Sequence, residues 1–247
     1  MRVLRALLPL AGLVALWEAA VRAFDLPHYI LPPPSIVAEE FAARGDLLLE
    51  HAAYTLAEIG LGLALGVGLG VAIALTMARF PAARAWGLPT LVISQSLPVF
   101  AIAPLLVLWL GYGMASKVAM ATLVIFFPVA SATFDGLRRV DPALIDLART
   151  MDARPAAILL RVRLPAALPA FASGVRVAAT VAPIGAVIGE WVGASAGLGY
   201  VMMQQLARGQ APLAFAALVT LCAIGVALYA AVDAVLRRAM PWVPRQP

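Results

Sequence analysis

The sequence predicts an all-α, polytopic membrane protein with six transmembrane helices and both termini in the cytosol, and three observations carry that expectation. Hydrophobic residues make up 63% of the 247 and charged residues 13%, against about 25% charged in an ordinary soluble domain; the mean hydropathy is +0.95. The apolar residues gather into runs near the roughly 20 residues that a bilayer-crossing helix needs. Most basic residues sit at the ends of those runs, and predominantly on one side.

The expected spans are Leu4–Ala23, Tyr54–Met77, Leu88–Leu110, Val118–Phe134, Ala170–Val192 and Leu213–Val235. Arg2 and Arg5 ahead of the first run, with the small residues of Ala19–Ala23, also fit a cleaved signal peptide. Cleavage would leave five spans and put the arginine-rich insert opposite the basic C-terminus, so an uncleaved helix is expected. An inside N-terminus places Arg2, Arg5, Arg79, Arg84, Arg138, Arg139, Arg149, Arg154, Arg161, Arg163, Arg237, Arg238 and Arg245 in the cytosol. Arg22, Arg44, Lys117 and Arg208 then face outward, with Arg176 inside the fifth span. The net charge of +5 therefore reads as topology, not as a nucleic-acid surface. The single cysteine, Cys222, cannot form an internal disulfide.

The chain reads as one transmembrane domain over residues 1–247, with a core of about 50–240 and a cytosolic loop over 135–169. After the first span, Leu31-Pro32-Pro33-Pro34-Ser35 forces an extended chain, and Ser35 is expected to cap a short amphipathic helix running towards Arg44 along the outer surface.

The segment from Asp135 to Pro169 carries six arginines. Asp141 followed by Pro142 is a helix start, a carboxylate cap ahead of a proline at the first helical position. Leu144, Leu147, Ala148 and Met151 fall on one face of that helix, with Asp146, Arg149 and Thr150 turned elsewhere. A second start at Pro155 gives a helix through Arg163 that is expected to stop near Pro165, where proline lacks the amide. Two short helices joined at Asp152–Arg154 make an elbow. A solvated loop that only enforces topology is the simpler alternative, but the exposed apolar face needs a cover.

This segment resembles the cytosolic loop of the inner-membrane permeases of binding-protein-dependent ABC importers, whose pattern is Glu-Ala-Ala, three residues, Gly, nine residues, Ile, any residue, Leu-Pro. Without a gap it falls on Asp146-Leu147-Ala148, Asp152, Val162 and Leu164-Pro165. Asp146 keeps the charge, Leu147 is bulkier, and Asp152 replaces a glycine that would serve a left-handed turn, a conformation Asp tolerates better than most residues. The resemblance implies a type I importer permease in which Asp146, Leu147, Ala148, Met151, Asp152, Val162, Leu164 and Pro165 form the coupling loop. That loop would dock on a cytosolic ABC ATPase that binds the ATP. It further implies an extracytoplasmic substrate-binding protein, a second permease copy in a homodimer and an inner-membrane location, with no cofactor, metal or catalytic residue in this chain. The stretch Ala182–Gly193 continuing through Gly197-Leu198-Gly199-Tyr200 resembles permeases of the nitrate, sulfonate and taurine group, most of all those for pyrimidine precursors of thiamine such as hydroxymethylpyrimidine.

Other signals complete the reading. Gly62, Gly66 and Gly70 recur every four residues in span two, which lets helix backbones approach closely in lipid. No Gly-Lys-Ser/Thr follows them, so packing is favoured over phosphate binding. Glu190 and Trp191, in or at the outer end of span five, are expected to contact substrate or form a gate, because an ionised carboxylate at that depth faces a cavity or a partner; a buried pair with Arg176 is the alternative. Glu58 and Glu18 lie closer to the interfaces, where snorkelling suffices. In span three, Ser94-Gln95-Ser96-Leu97-Pro98 followed by Pro104 is polar and proline-broken, so Gln95 and Ser96 are expected to wall a pathway. Phe100 and Trp109 are expected to pack or anchor. His28 and His51 lack metal-ligand spacing.

Two further classes remain as rivals. A proton-coupled secondary transporter could use Glu190 as a relay. A membrane-embedded enzyme would need clustered His, Cys, Asp or Ser, and neither His-Glu-x-x-His nor Gly-x-Ser-x-Gly occurs.

Overall fold

Helices follow one another along residues 2–242, which the computed structural model describes; Arg245 and the side chains of Arg2, Arg5 and Gln95 lie outside the described residues. They are α1 (Arg2–Ala23), α2 (Pro34–Arg79), α3 (Pro81–Ser96), α4 (Val99–Leu110), α5 (Met114–Arg138), α6 (Pro142–Thr150), α7 (Pro155–Ile158), α8 (Leu164–Gly193), α9 (Leu198–Ala207) and α10 (Ala211–Ala239). A π turn over Leu159–Arg163 joins α7 to α8.

Four stretches are long and apolar enough to cross a bilayer: Pro34–Arg79, Met114–Arg138, Pro155–Gly193 and Ala211–Ala239. α3 and α4 make a fifth only as a pair bent by 101°. Among the described residues the count is therefore four or five, where six were expected. The expected third span is broken because Pro98 offers no amide and Leu97 and Pro98 are both extended, at ψ 124° and 113°. α1 forms the 22-residue helix expected of the first run. It touches the rest of the protein chiefly through α2 and a tilted contact of Trp17 with Phe215 of α10, at 5.8 Å between centroids.

α5 is central, packed along α2 on one side and α8 on the other. Small residues set both distances. A Cβ added at Gly62 would come within 2.5 Å of Ala121 Cβ, and one at Gly66 within 2.5 Å of Ile125 Cγ2. From the opposite side a Cβ at Gly185 would come within 2.8 Å of Ala121 Cα. The four-residue glycine repeat is thus a packing seam, and Ile59, Ala121, Ile125, Val129, Ala178 and Ala182 fill the core beside it.

Two local expectations are corrected. The short helix from Pro34 ends as expected at Arg44, whose backbone is not helical (φ −133°, ψ 27°), and a second helix runs on from there to Arg79, but Ser35 does not cap the first. Instead the Ser35 hydroxyl and backbone N–H donate to the Glu18 carboxylate at 2.9 and 3.0 Å, and Arg22 also binds that carboxylate. Glu18 therefore ties α1 to the start of α2; it does not merely snorkel. The second elbow helix does not stop at Pro165. The Leu164 N–H bonds to the Leu159 carbonyl, five residues back, and this wider turn accommodates the proline within the first turn of α8, where a missing amide is tolerated.

Candidate functional site

The elbow is built as a capped, unsupported helix. Asp141 Oδ1 accepts from the Ala143 N–H at 2.9 Å and Pro142 opens α6. At the far end the Ala153 N–H donates to the Ala148 carbonyl at 3.0 Å and the Asp152 N–H to the Arg149 carbonyl at 3.0 Å. Asp152 itself sits at φ +55°, the left-handed turn that closes a helix and favours glycine. No residue of α6 is buried. Leu144, Leu147 and Met151 are 49%, 59% and 75% exposed, although each would gain by burial. Asp146 is engaged with Arg149 at 3.0 Å.

The opposite side of α6 faces the body. Ile145 and Arg149 help line a small cavity with Arg79, Pro155, Ile158 and Leu159. Ala148 is half-buried, so it lies at the edge of the apolar face and not at its centre. Val162 is half-buried, Leu164 packs against the group around Phe134 and Leu137, and Pro165 is exposed.

At the other end of the bundle, a polar cluster clasps the N-terminus of α9. Glu190, 2% exposed, accepts from the Gly199 N–H at 2.5 Å and from the Thr55 hydroxyl at 2.6 Å. The Thr55 oxygen accepts from the Leu198 N–H at 2.9 Å, and His51 Nδ1 accepts from the Gly197 N–H at 3.0 Å. Three of the four orphan amides that every helix start leaves or that lead into it are thereby satisfied. Gly197 has φ +112°, and a Cβ there would collide with the Glu190 carboxylate. The chain must turn there against a buried acid, and only glycine leaves room.

Sequence reasoning missed four members of this cluster, beginning with Thr55. Glu58 is buried beside Glu190 and Lys117, with one carboxylate oxygen lacking a hydrogen-bond partner. It lies too deep in the protein to snorkel. Lys117, counted only as a topology charge, is 2% exposed, and its ammonium group donates to the carbonyls of Tyr112 and Gly193. A cation at the C-terminal end of α8 is favoured by the helix dipole. His51 was given no role and holds the turn. The available signal was spacing: His51, Thr55, Glu58 and Gly62 continue on α2 the same stripe that carries Gly66 and Gly70.

Arg176 is not the partner of Glu190. It bonds Asp233 of α10 at 2.8 Å, and Arg237 binds the same carboxylate. Trp191 is 39% exposed, adjacent to the clasp but outside it. Ser96 is exposed at the break between α3 and α4, its hydroxyl turned back to the Val92 carbonyl at 3.4 Å. Phe100 and Trp109 on α4 are exposed. Among the described residues no cluster of His, Cys, Asp and Glu could hold a metal ion.

A family model described as binding-protein-dependent transport system inner membrane component matches residues 66–241. A probable ABC transporter permease protein of Haemophilus influenzae is 51% identical over 96% of this chain and 97% of its own length. The formylaminopyrimidine transport permease protein ThiX of Halalkalibacterium halodurans is 36% identical, with 95% and 94% covered. The riboflavin transport system permease protein RibX of Chloroflexus aurantiacus is 39% identical, with 93% and 87% covered. Among solved structures, an inward-facing form of the MetNI methionine ABC transporter has a chain matching with a TM-score of 0.67 at 23% identity, covering 78% of this chain and 95% of that one.

Proposed function

The chain belongs to the binding-protein-dependent transport system inner membrane components, the permease subunits of ABC importers, and we propose that its exposed α6 is the surface through which a cytosolic ATPase drives it. As a permease it is a transport subunit of the inner membrane and not an enzyme, and ATP belongs to the partner.

One observation carries the coupling reading: α6 is capped at both ends yet presents Leu144, Leu147 and Met151 to solvent. A helix so short is marginal alone, and its apolar face suits a groove on a partner. Both spans flanking the elbow then end at the cytosolic surface. The test is Leu147→Arg in the assembled transporter, with ATP-driven uptake measured in vesicles. Uptake and ATPase retention should both fall; uptake equal to wild type would refute coupling through this face.

A second copy of the permease completes the pathway. The break at Leu97–Pro98 exposes main chain within an apolar stretch, and irregular backbone at membrane depth is tolerated only inside protein or along a water-filled cavity. A partner copy placed against α3 and α4 supplies that cover, with Gln95 and Ser96 on the shared wall and Trp191 near its outer end. Glu190 takes part through its hold on α9, as a gate element and not as a direct ligand.

For the substrate we infer a neutral nitrogen heteroaromatic, a thiamine-precursor pyrimidine in the first instance. The pyrimidine and riboflavin permeases among its relatives support that class. Lys117, buried at the clasp, and Arg176, in the middle of α8, are both engaged by the protein itself, which leaves neither free for a sulfonate or nitrate and disfavours that reading. The engagement of both Glu190 oxygens by Thr55 and α9 likewise disfavours a proton relay. Identifying the molecule held by the co-purified binding protein tests the substrate: a sulfonate or nitrate would overturn the heteroaromatic class and leave the coupling mechanism standing.

A further inference from the structure

At the end of the bundle that bears the elbow, four arginines surround a cavity of about 380 Å³. Arg79 comes from the end of α2, Arg84 from the first turn of α3, Arg138 from the end of α5 and Arg163 from the π turn. The remaining walls include Met77, Pro81 and Phe134, and no carboxylate lines the space. None of the four arginines has a carboxylate partner among the described residues, where every ion pair involves other side chains. Arg79 and Arg138 lie over the rings of Phe80 and Phe134, at 5.3 and 5.5 Å from the centroids. Arg163 Nε is buried with no hydrogen-bond partner. Arg79, Arg84 and Arg138 are exposed, as charges that mark the cytosolic side are; topology alone does not explain Arg163, half-buried with its Nε unpaired in the same lining.

We propose that this cavity binds the phosphate of an anionic phospholipid headgroup from the adjoining leaflet. Arginines brought from four elements to line one cavity suit a phosphodiester, whose oxygens accept paired N–H donors, and the buried Arg163 Nε is an unused donor of that lining residue. The flank of the cavity selects a lipid over a soluble phosphate. Trp86 is 80% exposed and Phe80 is also exposed, as aromatic side chains are at a membrane–water boundary. Beyond them Val92 and Ile93 of α3 are exposed along the same apolar helix and offer a track for an acyl chain. The cavity shares Ala78, Arg79 and Arg163 with the smaller one beneath α6, so a bound headgroup lies one side chain from the elbow. This site goes beyond the coupling role and does not depend on what α6 docks to.

The test uses the complete transporter purified with its ATPase, exchanged into phosphatidylcholine with or without phosphatidylglycerol, with bound lipid counted by native mass spectrometry. Wild type should retain phosphatidylglycerol over phosphatidylcholine. Arg84→Gln combined with Arg138→Gln should weaken that retention about 30-fold, from roughly fivefold per arginine at an anionic surface. Both side chains are exposed, and Arg84→Lys with Arg138→Lys should recover most of the charge-dependent retention. Equal retention of the two lipids, or undiminished phosphatidylglycerol in the double glutamine variant, would overturn the site. So would binding of inorganic phosphate without lipid preference. Loss of the ATPase from the double glutamine variant with its lipid count unchanged would overturn it in favour of a protein contact.

Discussion

The Thr55 hydroxyl donates to Glu190 at 2.6 Å across 135 residues of sequence, and the same oxygen accepts from the Leu198 N–H. One hydroxyl thus joins α2, α8 and α9. Thr55→Val removes both bonds while preserving shape, and should cost about 1–3 kcal/mol, the range for leaving buried polar groups unsatisfied. Thr55→Ser should stay near wild type. Thermal unfolding of the purified transporter compares them, and a valine variant as stable as the serine one would deny the clasp its structural role.

Gly66 faces Ile125 with no room for a methyl group. Gly66→Ala should destabilise by about 1–3 kcal/mol, as overpacking of a tight core does. Adding Ile125→Ala removes the Cγ2 that the new Cβ would strike and leaves only the Ile125 Cβ position occupied, so the pair should lose less than the sum of the two single losses. A pair that is simply additive in a double-mutant cycle would show that the two positions are not in contact.

Asp152 adopts a left-handed conformation that costs a residue with a Cβ roughly 1–2 kcal/mol. Asp152→Gly should therefore keep or raise both stability and ATP-driven uptake. Asp152→Val, β-branched and intolerant of positive φ, should lower uptake and loosen α6 to proteolysis. Equal uptake by the two variants would remove the turn from the coupling path.

Much of the elbow was legible because its signals are local. The Asp141-Pro142 start, the face carrying Leu144, Leu147 and Met151, and the turn at Asp152 each depend on neighbours within a few residues. The glycine seam was legible for the same reason, as a repeat along one helix. The clasp was not, because Thr55, Glu190 and Gly199 are brought together only by packing, and a hydrogen bond across 135 residues leaves no periodic trace. Lys117 shows what counting charges leaves out: a count assigns it a side of the membrane, and only packing shows that the Tyr112 and Gly193 carbonyls replace water around it. Pro165 shows a limit of local rules as well. Proline ends a regular helix, yet a turn of wider pitch upstream lets the chain continue.

The continuity of α7, the π turn and α8 has a mechanical side. From Pro155 to Gly193 the chain is helical without interruption over 39 residues, a rod of nearly 60 Å at about 1.5 Å per residue. A load applied at the elbow meets no slack segment before it reaches Glu190 and the start of α9. The rod's compliant points are Pro169 and Pro183, each of which removes a main-chain bond. Displacement of one end must therefore appear at the other as tilt, or as flexure at those two prolines.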